Sequence, residues 1–118
     1  MITKNSIIET EATIAWYKPP MKIRNAMRKL AKAGFSDSGH GAGFGVEDWS
    51  MSYNFNSDEY IYVSLSHNKK KKKQTVSISL YRDDILLDNI INSNIDYEPN
   101  IGSNKAIEYK NKILKKVK

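Results

Sequence analysis

The chain has 118 residues, 40% apolar and 10% aromatic, with a formal net charge of +6 and no cysteine. A chain of this length fits one domain, 1–118, burying roughly two-thirds of its unfolded surface without staples. Disulfide frameworks, thiolate zinc sites and cysteine nucleophiles are excluded, and with two histidines a metal site would need carboxylates to complete it.

The N-terminal segment MITKNSIIETEA has no uninterrupted apolar stretch. Neither a signal peptide nor a membrane span is therefore expected, and the cytoplasm is the expected location. Residues 6–17 carry two periodicities. Ser6 and Glu9 have capping-box spacing, with Ile8, Ala12, Ala15 and Trp16 on one helical face. Ile8, Thr10, Ala12, Ile14 and Trp16 also alternate as a strand would, and the Thr, Ile, Trp and Tyr content favours the strand.

Pro19-Pro20 marks the start of a helix whose apolar stripe is Ile23, Ala26, Met27, Leu30 and Ala31, capped at Gly34. Its other side is basic, with Lys22, Arg24, Arg28, Lys29 and Lys32. The segment Ser36–Gly45 alternates glycines and holds His40 and Phe44. Such glycines can let backbone amides approach an anion, but a nucleotide fingerprint follows a strand and opens a helix, the reverse of this context. A mobile loop ordered by a partner is the expectation.

Strict alternation then runs through three segments: Trp49, Met51, Tyr53 and Phe55; Ile61, Val63 and Leu65; and Val76, Ile78 and Leu80. The intervening positions are serines, threonine and asparagine with Tyr60, Tyr62 and Tyr81. Period-two patterning with one polar face predicts an antiparallel sheet covered on one side. Residues 56–59 read as a turn, and His67 to Gln74 as a hairpin loop displaying Lys69, Lys70, Lys71, Lys72 and Lys73. Arg82-Asp83-Asp84 suits a further tight turn, after which 85–91 fits either a fourth strand or a short helix. Residues 92–104 have loop composition. Ser103 is a candidate N-cap for a last helix with Ala106, Ile107, Ile113, Leu114 and Val117 on its apolar side. Lys110, Lys112, Lys115, Lys116 and Lys118 crowd its end, where the helix dipole favours cations. The predicted architecture is α+β, an antiparallel three- to four-stranded meander with two amphipathic helices packed on one face.

The whole net charge lies in the second half. Residues 1–59 hold seven Lys/Arg and seven Asp/Glu, whereas 60–118 hold twelve and six. This asymmetry points to an acidic partner, nucleic acid or an acidic protein surface. Sixteen lysines against three arginines favour backbone contact over base reading. The Lys, Asn and Ile content also fits an AT-rich genome, such as that of a low-GC bacterium or its phages.

The first functional expectation is a non-catalytic basic protein contacting nucleic-acid backbone through Lys69–Lys73, the Arg24, Arg28 and Lys32 stripe, and Lys112, Lys115 and Lys116. Single-strand binders on sheets stack bases on exposed aromatics, which Tyr60, Tyr62 and Tyr81 could supply. The second expectation is a protein-binding inhibitor or accessory factor using Tyr60, Tyr62, Tyr81, His40 and Phe44. The third is a small RNase with His40 or His67 as general base, although no partner residue is visible to complete such a site. No motif specifies a reaction, a cofactor or a metal. Helix, three strands, helix resembles double-stranded-RNA-binding domains and HicA-type toxins in element order alone; their motifs do not occur here, so no family is assigned.

Overall fold

The computed structural model describes residues 4–87 and 96–117, with side chains at 6–85 and 96–115. The elements in chain order are α1 (Lys4–Tyr17), α2 (Met21–Lys32), β1 (Ser36–Gly43), β2 (Val46–Asn54), β3 (Glu59–Asn68), β4 (Lys73–Arg82), β5 (Ile85–Leu87) and α3 (Pro99–Val117). The strands form one antiparallel meander in the order β1-β2-β3-β4-β5. The α+β meander expected from the alternation is present, with one strand and one helix more than the patterning announced.

Register explains why the alternation was so legible. Trp49, Leu65 and Val76 stand in one cross-strand row, and Met51, Val63 and Ile78 stand in the next. All six side chains are fully buried. They join Ile23, Met27 and Leu30 of α2, Ile14 of α1, and Ala106 and Ile113 of α3 in a single apolar cluster. The intervening residues face the other way and leave a polar sheet face of serines, threonine and tyrosines.

The α2 boundaries follow the expected chemistry. Arg24 N bonds Pro20 O at 2.9 Å at the start, and at the end Phe35 N reaches back to Leu30 O at 3.0 Å. Gly34 sits at φ 98°, the left-handed conformation that glycine adopts without a Cβ penalty.

Several expectations are corrected. Residues 6–17 are helical, not extended. The helix hides its signature because it is seated through polar residues: Ser6 and Thr10 are buried beside Ile14, while Ile8 and Trp16 face outward. The glycine-rich segment is not a loop but the edge strand β1. Its partner β2 supplies the ladder, and the connecting turn places Phe44 at φ 52° and Gly45 at φ 78°, the left-handed pair that two-residue hairpins require. Asp83 and Asp84 make the same kind of turn before β5, at φ 53° and 62°; the rest of the expected strand, 88–91, lies outside the described residues. The loop expected for 92–104 gives way at Pro99, where α3 begins. Ser103 is consequently inside the first turns, donating to Asn100 O at 3.0 Å, rather than capping them. Among the described residues no helix is long and apolar enough to cross a membrane.

Gly102 marks the closest approach of α3 to the sheet. A Cβ built there would stand 2.5 Å from Val76 Cβ and 2.8 Å from its Cγ1. Helix propensity alone would favour alanine by about 1 kcal/mol. The clash dominates, because Val76 is buried and its backbone is fixed on both sides, by β3 and by Tyr97. Gly102→Ala is therefore expected to destabilise the fold by about 1–3 kcal/mol in urea unfolding, and an unchanged or raised midpoint would refute the contact.

Candidate nucleic-acid interface

The sequence run of five lysines is trimmed by the ladder, because His67 pairs with Gln74 and Asn68 with Lys73. Only Lys69–Lys72 form the turn, and they are held. Asn68 Oδ1 accepts from the backbone N–H groups of Lys70 and Lys71, each at 3.1 Å, and Lys72 adopts φ 52°. Lys69 N bonds Gly45 O at 2.9 Å, tying this tip to the β1–β2 turn. Fully exposed Phe44 therefore stands beside the lysine tip.

The five ammonium groups have different surroundings. Lys69 Nζ lies 3.8 Å from Glu47 Oε1. The Lys70 stem packs alongside Gly45, where a Cβ would be 3.8 Å from its Cε. Lys71, Lys72 and Lys73 line a cleft of about 580 Å³ together with Lys22 of α2. Asp96 and Glu98 also line it, so four cations share the cleft with two carboxylates. A second cleft of about 270 Å³ shares Lys71, Lys73, Thr75 and Asp96 with the first and adds Val46, Ser66 and Asn68. Ser66 and Thr75 are a cross-strand pair on the polar face. The two clefts thus meet at Lys71 and Lys73, where the lysine turn opens onto the sheet.

At the far end of that face lie the tyrosines. Tyr60 and Tyr81 stack with centroids 5.2 Å apart and 16° between planes, and Tyr62 meets Tyr81 edge-on at 6.4 Å. Tyr60 donates to Asp84 Oδ1 at 3.0 Å and Tyr62 to Ser50 Oγ at 2.7 Å, which orients both rings. Burial, then the Asp84 hydrogen bond, hold the Tyr60 phenol above its ordinary pKa. All three are half-buried by their neighbours. From Ser66 to Tyr60 is six residues of β3, about 20 Å, enough for roughly four nucleotides of single strand.

Several other basic residues are engaged elsewhere, and Arg24 and Lys32 lie near enough to Glu11 for their charges to act on it. Arg28 is turned onto α1, its Nε and Nη2 donating to Glu11 at 2.7 and 3.0 Å. That hydrogen bond holds the Glu11 carboxyl below its ordinary range, and the charges of Arg28, Arg24 and Lys32 act in the same direction. Lys29 Nζ donates to Asn100 and Asn104 of α3 at 2.6 and 3.1 Å. Lys110 caps α2, donating to Ala33 O at 2.8 Å with Nζ 5.2 Å from the Tyr53 ring centre. Burial lowers its pKa. Lys112 and Lys115 line a separate cleft along α3; the Lys116 side chain lies outside the described residues. Lys110 sits over Tyr53, which pairs with Ile61, whereas the lysine turn begins after Asn68, so Lys110 stands about 25 Å from that turn along β3.

The histidines have partners that the sequence did not reveal. His40 lies on β1, and its Nε2 is 2.7 Å from Glu47 Oε2 across the β1–β2 hairpin. Its ring stacks on Tyr17 at 3.7 Å and leans on Trp49 at 5.4 Å. His67 is the cross-strand neighbour of the same Glu47, with Nδ1 2.9 Å from Gln74 Nε2. The signal that could have found the His40–Glu47 pair is the hairpin register, which sets His40 opposite Trp49 and diagonal to Glu47 on the same face, readable only once Ser36–Gly43 is taken as a strand. A histidine with one nitrogen engaged, its ring stacked on Tyr17 and tilted against Trp49, clasps α1 to the hairpin. Among the described residues no group of three or more His, Asp or Glu side chains is arranged to hold a metal ion.

No family model, curated protein or solved structure matches this chain.

Proposed function

We propose that the chain is a non-catalytic protein that binds single-stranded nucleic acid, with backbone phosphates at the lysine turn and bases on the tyrosines of the open sheet face. The observation that supports this most is the sharing of Lys71 and Lys73, two cations against the single carboxylate of Asp96, between the first cleft and the cleft leading onto the polar face. An ammonium contributes sequence-blind affinity by displacing condensed counterions, while a tyrosine face accepts any base. A lysine-dominated, arginine-poor surface fits contact with phosphates better than reading of base edges.

Fluorescence anisotropy with single-stranded DNA, single-stranded RNA and duplex of equal length tests this reading. Tighter binding to single strands is expected, falling steeply between about 50 and 200 mM salt. Tyr60→Ala with Tyr81→Ala should remove the single-strand preference and leave the salt slope intact, since stacking contributes about 1–3 kcal/mol per base without charge. No detectable binding of any oligonucleotide at low salt would refute the proposal.

A further inference from the structure

We infer that the chain forms a two-fold homodimer by pairing β1 edge to edge with a second copy, α1 packing against α1 across the joint. Two independent features on one side of the molecule point there.

The first is the strand edge. Among the described residues β1 pairs with β2 alone, so its outer row of N–H and C=O groups faces outward. Natural sheets blunt such edges with lysine, proline or coverage. The opposite side of the sheet is handled that way: β5 is three residues long, and Tyr97 exchanges both backbone hydrogen bonds with Val76 of β4, at 2.7 and 2.8 Å. β1 has a bulge between Asp37 and Gly39, yet beyond it Gly39-His40-Gly41-Ala42-Gly43 is regular and contains neither lysine nor proline. Its glycines present bare main chain.

The second is α1. A surface helix ordinarily turns its apolar stripe inward. Here Ser6 and Thr10 are buried, with Thr10 Oγ1 lacking a hydrogen-bond partner, while Ile8 is 63% and Trp16 80% exposed. Ala12 and Ala15 are exposed on the same side, giving an outward stripe at positions 8, 12, 15 and 16.

The occupant that fits both is a second copy. Thr13 bonds Asp37 and Tyr17 stacks on His40, so α1 runs alongside β1 in the same direction. Antiparallel pairing of two β1 strands is self-complementary and sets the two α1 helices antiparallel side by side. Ala12 lies midway between Ile8 and Trp16. An axis through it sets each Trp16 over the partner copy's Ile8 and lets small side chains meet at the centre. Of the two α1 carboxylates, Glu9 and Glu11, the second is answered by Arg28 within the chain, which leaves one like-charge group per copy near the joint. Trp16, Ile8, the two alanines and the strand edge offer roughly 600 Å² per copy, about 1,200 Å² in all, the low end for a specific interface and hence a weak dimer.

Sedimentation of the full chain from about 5 to 500 µM should show a concentration-dependent rise from monomer to dimer mass, the behaviour of an interface at the small end of the range. Ile8→Glu with Trp16→Glu should hold it at monomer mass with unchanged circular dichroism, since both side chains are exposed. The chain has no cysteine, so a single Ala12→Cys reports the axis directly. It should form an intermolecular disulfide much faster than Ser57→Cys, placed in the remote β2–β3 turn. A chain that stays monomeric throughout, a dimer that survives the double glutamate change, or Ala12→Cys reacting no faster than Ser57→Cys would each overturn the inference.

Discussion

Replacing Lys71 and Lys73 together by alanine is expected to weaken single-strand binding about 20-fold at about 0.15 M salt and to lower the salt slope by between one and two. The expectation follows from where these two side chains stand. Both line the two clefts that join at the sheet end, and both are exposed, so their removal leaves the fold intact. A phosphate contact on a single strand contributes about 0.7 to the slope, equivalent to roughly fourfold in affinity at this ionic strength. Lys69 lies within 3.8 Å of Glu47, so its charge is partly answered inside the protein and Lys69→Ala should matter less. Lys112→Ala with Lys115→Ala removes the same charge from a separate cleft along α3 and should leave the slope nearly unchanged. Anisotropy titrations across a salt series measure all three. Equal losses from the two double variants would mean that net charge, rather than the lysine turn, attracts the oligonucleotide.

That contrast could not be drawn from sequence, which counts lysines without placing them. The central sheet was legible because Trp49 to Phe55, Ile61 to Leu65 and Val76 to Leu80 alternate without a break, and one slip of register would expose every buried member. The α2 helix was legible for a similar reason, its stripe from Ile23 to Ala31 being bounded by Pro20 and Gly34. The flanks were not. β1 contains three glycines, so intrinsic preference argued against a strand, and only pairing with β2 makes it one. α1 buries Ser6 and Thr10 and exposes Ile8 and Trp16, so the pattern that normally betrays a helix is reversed. With β1 read as a loop, His40 had no fixed neighbour and its contact with Glu47 was hidden. The lysine turn was placed correctly in the chain, but its stiffness was missed, since the Asn68 hydrogen bonds and the Gly45 tie depend on two hairpin tips lying side by side.

Trp49→Ala is expected to have the largest effect on stability. Trp49 is fully buried on β2, opposite Leu65, and its ring also supports His40 from below. Emptying such a site costs about 3–5 kcal/mol, a large part of the 5–15 kcal/mol that holds a domain folded, and would lower Tm by on the order of 15 °C. Trp49→Phe separates two opposing effects. It removes part of the ring and leaves a smaller void, but it also removes the indole Nε1–H, which is buried without a hydrogen-bond partner. An unpaired buried donor costs about 1–3 kcal/mol, so its loss offsets much of the cavity and the phenylalanine variant should stay within about 1.5 kcal/mol of the parent. Thermal and urea unfolding of both variants decide the matter. If phenylalanine proved as damaging as alanine, Nε1 would have to be bonded in solution. If the expected order holds, the unpaired indole donor is a cost that the native core carries at Trp49 in exchange for the volume its ring fills.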